Sequence, residues 1–367
     1  MEQTNTDSFQ ISNLADPVDN SSNENIGMVG LNNISVLESE MNSLYTGVGM
    51  RDISSSGVIE LKGNDVLDFL HRISTNSVKN IVKGEVAKTI FTTEKGRIID
   101  TGVIINLDEY QLLICSQEHQ EKMMIWLQKY IISDDVKLNK VNGKYTLLEL
   151  IGPQADSFMT IISGNIVNNI QPNTIKIINT DGILFFLMKH FDQNGHLVYW
   201  ILADPVYAQK LIRYMVENKG PFNFNLIGEE AYNYYRIENG IPIAPNEIND
   251  LHSPHEVGLM QQVSTTKGCY IGQEVIARLD TYDKVQKNLC GFLFSEAIQD
   301  EDKLLVFDES NGEAGNITST VYSNRFKKHL GIGFVRRKYF EDGKELIAKN
   351  GSGNPLKVFV KKLPFKK

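Results

Sequence analysis

Apolar and polar positions along this chain fall into two alternating periods, one of strands and one of helices. Val58-Ile59-Glu60-Leu61-Lys62 alternates like a strand and breaks at Gly63-Asn64. Residues 65–74 then carry Val66, Phe69, Leu70 and Ile73 at helical spacing. Residues 88–93 and 98–106 predict strands around the turn Glu94-Lys95-Gly96-Arg97, residues 110–115 a further strand, and residues 117–130 an amphipathic helix. A strand over 146–150, a Gly152-Pro153 break and a helix from about Ala155 follow. Residues 183–189 and 197–203 predict a strand pair, and residues 205–219 a helix. Beyond Leu289 the pattern changes to short alternating strands with Gly, Asn and Asp turns, which predicts a small β-barrel or sandwich. The upstream order β, α, β, β, α, β predicts an α+β fold of ferredoxin-like pieces, with a boundary near residue 285.

Composition adjusts this picture at the N-terminus. The chain has 367 residues and a formal charge of −8, but residues 1–40 hold seven acids and no Lys or Arg. The remainder carries 37 bases against 38 acids, so no strongly charged face is implied. Residues 1–41, rich in Asn and Ser, are expected to form a disordered acidic tail, with one region over 42–285 and a second domain over 286–367. No stretch is long and apolar enough to span a membrane, and the acidic start is unlike a transit peptide. A soluble, cytoplasmic protein is expected.

Three cysteines, Cys115, Cys269 and Cys290, have no paired spacing, which argues for a reducing compartment and against a disulfide framework or a metal cage. Cys115 and Cys290 lie in apolar runs and are expected in strands. Cys269 differs: Lys267-Gly268-Cys269-Tyr270-Ile271-Gly272-Gln273-Glu274 sets it beside a lysine and just ahead of a predicted helix. An ammonium group and a helix N-terminus both favour thiolate, so Cys269 is a candidate nucleophile, against the plainer alternative of a buried loop cysteine. Glu274 and Arg278 are placed for an i, i+4 pair. Phosphate-loop, GxGxxG and GxSxG patterns are absent, His252 and His255 flank a proline without further ligands, and the lysine-rich C-terminus lacks aromatic interleaving. No metal site, membrane contact or nucleic-acid partner is expected.

The Lys267–Glu274 stretch resembles the signature of the YgfZ-type folate-binding proteins, relatives of the glycine-cleavage T-protein (aminomethyltransferase). Arg236-Ile237-Glu238-Asn239-Gly240-Ile241-Pro242, Leu70-His71-Arg72-Ile73-Ser74-Thr75-Asn76 and Lys95-Gly96-Arg97-Ile98-Ile99-Asp100 resemble other blocks of that group. Gly315-Asn316-Ile317-Thr318-Ser319 and Gly331-Ile332-Gly333-Phe334-Val335 resemble its C-terminal barrel. The resemblance implies ferredoxin-like folate-binding domains in a ring-like arrangement plus a C-terminal small β-barrel. It implies tetrahydrofolate as cofactor, with Glu238 on the pterin, Asp100 at the catalytic position near the folate, and Lys267, Arg236 and Tyr270 in the binding set. Cys269 is the implied reactive group.

The chain departs from the T-protein pattern where Asp100 is followed by Thr101 instead of a second aspartate. The expected function is therefore a tetrahydrofolate-binding accessory protein in iron–sulfur cluster assembly or repair, with iron–sulfur client or assembly proteins as partners. The alternative is a folate-dependent aminomethyltransferase or demethylase of the T-protein type, and a third reading is a non-catalytic folate-sensing scaffold.

Overall fold

The computed structural model describes residues 26–141, 143–282, 284–298, 304–349 and 355–366. Residues 1–25 of the expected tail lie outside this range. Residues 26–41, assigned to the same tail, are instead part of α1 (Ile26–Thr46). Leu37, Met41, Leu44 and Tyr45 recur at helical spacing and pack on Tyr235 and Ile227, and this stripe outweighs the local abundance of Asn and Ser.

After α1 the chain runs through β1 (Val48–Asp52) and two units of the same order. The first is β2 (Ser56–Lys62), α2 (Val66–Ile73), β3 (Val86–Thr92), β4 (Ile98–Asn106), β5 (Gln111–Gln117), α3 (Gln120–Tyr130) and β6 (Lys137–Lys140). The second is β7 (Thr146–Ile151), α4 (Ala155–Ser163), β8 (Thr174–Thr180), β9 (Ile183–Phe191), β10 (Leu197–Ala203), α5 (Pro205–Glu217) and β11 (Phe224–Leu226). Their sheets also match. The first is ordered β3-β4-β5-β2-β6, the second β8-β9-β10-β7-β1-β11, with β1 inserted between β7 and β11. Each unit has one strand more than the β, α, β, β, α, β pattern expected from sequence.

Each sheet buries one face under its own helices. The opposite faces meet through Val58, Val103, Ile114, Leu147, Met188 and Leu202. Helices α6 (Glu229–Glu238), α7 (Pro254–Val257) and α8 (Gln273–Thr281) then lead to a closed antiparallel barrel. The barrel comprises β12 (Lys287–Phe294), β13 (Leu304–Phe307), β14 (Glu313–Ser323), β15 (Lys328–Arg336), β16 (Glu345–Lys349) and β17 (Pro355–Lys361). The fold is thus mixed α+β with a six-stranded C-terminal barrel. Closure leaves no barrel edge unpaired. Phe334 joins the barrel to the first unit by stacking on His252 at 3.6 Å between ring centres, among Ile90, Ile98 and Val257.

Candidate functional site

Where the two sheets face each other short of full contact, α6 and the segment after it close a central cavity. It has two chambers of about 270 and 190 Å³ that share Lys88, Thr101, Trp200, Tyr232, Pro242, Ile248 and Gln262. Together they fall in the range of small-molecule sites, about 300–1,000 Å³.

One wall is a cross-strand row. Strand pairing sets Glu149 of β7 opposite both Arg51 of β1 and Trp200 of β10, so the three side chains share one face. Arg51 Nε donates to Glu149 Oε2 at 2.5 Å, and Trp200 Nε1 donates to Glu149 Oε1 at 2.8 Å. The guanidinium also lies 3.2 Å from the ring centre of Tyr232 on α6. Burial raises the Glu149 carboxyl, but Arg51 and the Trp200 hydrogen bond outweigh it and hold the group below its ordinary value. Both carboxylate oxygens are committed, so this charge pair is a fixed part of the wall.

The facing wall comes from β3, β4 and β5 and carries Lys88, Thr101, Val103, Ile114 and Ser116. Lys88 Nζ lies 2.7 Å from His190 Nδ1 and donates to the Phe191 carbonyl at 2.8 Å. Burial brings the Lys88 amine down to about 8, against the smaller opposing pull of Glu149 and Asp192. Burial and then Lys88 push His190 down to about 3, so its imidazole is neutral at physiological pH. An ammonium donating to Nδ1 assigns the ring proton to Nε2. The His190 ring meets Trp200 edge to face at 5.2 Å. Pro242, Ile243 and Ile248 cover the cavity, with Gln262 at its rim.

The residues singled out from sequence are not gathered in this cavity. Asp100 does not line it: the residue is fully buried and pairs across the strands with Phe91 of the helix-side core. Its carboxylate accepts from Ser116 Oγ at 2.5 Å and the Ser116 N–H at 3.1 Å, and His119 Nδ1 lies 3.3 Å away. Strand alternation turns the next residue, Thr101, into the cavity instead.

Glu238 also lies elsewhere. Its buried carboxylate accepts from the Tyr45 hydroxyl and from Ser323 Oγ at 2.5 Å, with Arg325 at 3.9 Å, joining α1, α6 and the barrel. Tyr232 and Tyr235 face the cavity, but two three-residue steps along a helix turn Glu238 about 120° away from Tyr232. Arg236 is buried with Glu247 at 3.3 Å and Ser319 Oγ at 2.8 Å, at the junction with the barrel.

Lys267, Cys269 and Tyr270 form an outer loop on the helix side of the first sheet. Lys267 Nζ donates to the carbonyls of His71, Ser74 (2.6 Å) and Asn76 (2.7 Å), gathering the C-terminal end of α2. Tyr270 is buried beneath it, and Cys269 is exposed. Gly272 starts α8 at φ +83°, where a Cβ would come within 2.5 Å of the Thr93 carbonyl, and Glu274 and Arg278 pair at 2.9 Å. Sequence reasoning missed Arg51, Glu149, Lys88, Trp200 and Tyr232. Glu149 within Leu147-Leu148-Glu149-Leu150 and Lys88 within Val86-Ala87-Lys88-Thr89-Ile90 were the available signals, since a charge inside an apolar strand needs a partner.

Comparison with known proteins follows the same division of the chain. Residues 31–267 match the model of the GCVT N-terminal domain, and residues 287–367 that of the glycine cleavage T-protein C-terminal barrel domain. A chloroplastic protein of Arabidopsis thaliana, named provisionally as a transferase, is 25% identical over 98% of this chain and 83% of its own length. An aminomethyltransferase of Desulfitobacterium hafniense is 25% identical over 84% of each. The crystal structure of the glycine cleavage system aminomethyltransferase T from Bartonella henselae superposes with a TM-score of 0.74 at 19% identity, covering 90% of this chain and 89% of that one, and shares its fold.

Proposed function

From the premise that this chain belongs to the glycine-cleavage T-protein family, we propose that it binds a reduced folate in the central cavity and serves one-carbon transfer of the aminomethyltransferase kind. The observation that carries the reading is the cavity itself: a half-enclosed slot between two sheets, walled by flat rings and fixed polar groups, in a chain whose relatives bear aminomethyltransferase names.

The residues fit a pterin. Trp200 and Tyr232 offer aromatic faces, Val103, Ile114 and Ile243 offer aliphatic ones, and Thr101, Ser116 and Gln262 bring side-chain hydrogen-bonding groups. A reduced folate supplies a nucleophilic nitrogen that accepts a one-carbon unit. The chain supplies the walls that hold the ring and exclude water, and the Arg51–Glu149 pair that keeps Trp200 in place.

Fluorescence tests this reading directly, because the chain has two tryptophans. Trp126 packs with Phe91 and Tyr130 away from the cavity, leaving Trp200 as the cavity reporter. Tetrahydrofolate should quench wild type, and Trp200→Phe should lose that quench while calorimetry still registers binding. Absence of a calorimetric signal with wild type would remove the proposal.

A second reading, the accessory role in iron–sulfur cluster assembly or repair, is favoured by two features: Cys269 is exposed, and Thr101 occupies the cavity wall where a carboxylate would serve transfer chemistry. Here Cys269 is the reactive thiol and the partners are iron–sulfur proteins. Rescue of a deletion strain by Cys269→Ser, equal to wild type, would count against it. Turnover of tetrahydrofolate with an aminomethyl donor would favour the first reading.

A further inference from the structure

We infer that Lys88 is a carboxylate-binding residue of the central cavity, an inference that rests on the proposed folate site for its setting but not for its test. Lys88 stands where both chambers and an outer opening beside Asn76 and Gln261 meet, so a ligand in any of them passes its ammonium group. Two of its three N–H donors are used, on His190 Nδ1 and the Phe191 carbonyl. Neither acceptor carries a charge.

The two carboxylates whose charge acts on Lys88, Glu149 and Asp192, are already committed, and Asp52 and Glu229, which line the same chamber, form no ion pair with it. Glu149 on β7 is held by Arg51 and Trp200. Asp192, after β9, accepts from the N–H groups of Asn194 and His196 at 2.8 Å, and His196 Nδ1 lies 3.2 Å from it. Tyr232 on α6 lies against Arg51, and His190 is neutral. Among the described residues no carboxylate comes within ion-pair distance of Lys88. An ammonium group held in a half-enclosed cavity by neutral acceptors alone has lost water without gaining a counter-ion, and an incoming carboxylate supplies one. The carboxylate belongs either to the glutamyl part of the folate or to a small co-substrate.

Titration calorimetry of the full chain separates these sources. Wild type, Lys88→Met and Lys88→Arg are each titrated with tetrahydrofolate and with the amide of tetrahydropteroate, which has neither the glutamyl group nor any other carboxylate. Acetate and glycine are then titrated into protein with and without tetrahydrofolate. If the folate tail is the ligand, wild type prefers tetrahydrofolate by about tenfold or more, and Lys88→Met binds both alike. If a co-substrate is the ligand, the two folates bind alike, and acetate or glycine binds wild type but not Lys88→Met.

In either case the wild-type carboxylate affinity is flat below about pH 8 and falls by up to about tenfold per pH unit above it, as the free amine loses its proton. Lys88→Arg stays flat. Thermal unfolding of Lys88→Met controls for misfolding. The inference is overturned if no carboxylate preference depends on Lys88, or if wild type and Lys88→Arg share one pH profile. Wild type that binds acetate or glycine through Lys88 but neither folate would retain the carboxylate site and remove the folate reading.

Discussion

Replacing Arg51 by methionine isolates the contribution of the central charge pair. The side chains of Arg51 and Glu149 are 17% and 9% exposed, so the variant strands a carboxylate that water reaches poorly. Breaking such a buried pair costs about 3–5 kcal/mol; the residual exposure of Arg51 favours the lower end, about 3 kcal/mol. Urea unfolding followed by tryptophan emission suits the test, because Trp200 donates to the same carboxylate. The pH dependence follows from the same pair. In wild type Glu149 titrates below its ordinary 4.5, so its stabilisation is present above that pH and is lost as pH falls through the lower folded value. In Arg51→Met burial lacks its main opponent, the carboxyl titrates above 4.5, and stability is lost as pH rises past that point. The gap between the two proteins should therefore be widest near pH 7 and narrow below about pH 4.5. Adding Glu149→Leu should recover most of the loss. The account is refuted by a cost under about 1 kcal/mol at pH 7, by a gap independent of pH, or by a double variant no more stable than the single one.

Other expectations can be checked alongside. Glu238→Ala should lower stability by about 2–4 kcal/mol through the two hydroxyl donors it leaves unpaired, while tetrahydrofolate affinity changes less than about threefold; a thirtyfold loss of affinity would return Glu238 to the pocket. Iodoacetamide should modify Cys269 alone in the native protein and all three cysteines in urea, because Cys115 and Cys290 are buried and burial pushes the Cys115 thiol up to about 12; native labelling of Cys115, read by mass spectrometry, would contradict the packing. Lys267→Met leaves three carbonyls at the end of α2 without their donor and should cost about 1–3 kcal/mol, with hydrogen exchange rising first in residues 71–76.

Much of the architecture was legible because each element carries its own period. Residues 98–106 read as a strand and form one, and residues 205–219 read as a helix close to the observed α5. The barrel announced itself by the loss of helical spacing after Leu289. Two features resisted. Asn and Ser surround the stripe of Leu37, Met41, Leu44 and Tyr45, so composition there points to disorder while the spacing points to a helix. The cavity was illegible for a different reason. Arg51, Glu149 and Trp200 meet only through strand register across some 150 residues, which no local pattern encodes. The choice between Asp100 and Thr101 turns on a single step of alternation. A block that stands out in a sequence identifies a segment, while the face it presents is decided by its neighbours.

The segment that covers the cavity is tethered to the barrel, and this makes the C-terminal domain a support for the cavity wall. Glu247 accepts from the Ile243 N–H and from Arg236 with one oxygen, and from Thr318 and Ser319 of β14 with the other. Asn246 adds a bond to Ser319. The Pro242–Ile248 segment is thus held by a buried carboxylate bound to two barrel hydroxyls, so the shape of one cavity wall depends on a domain that lends it no lining residue.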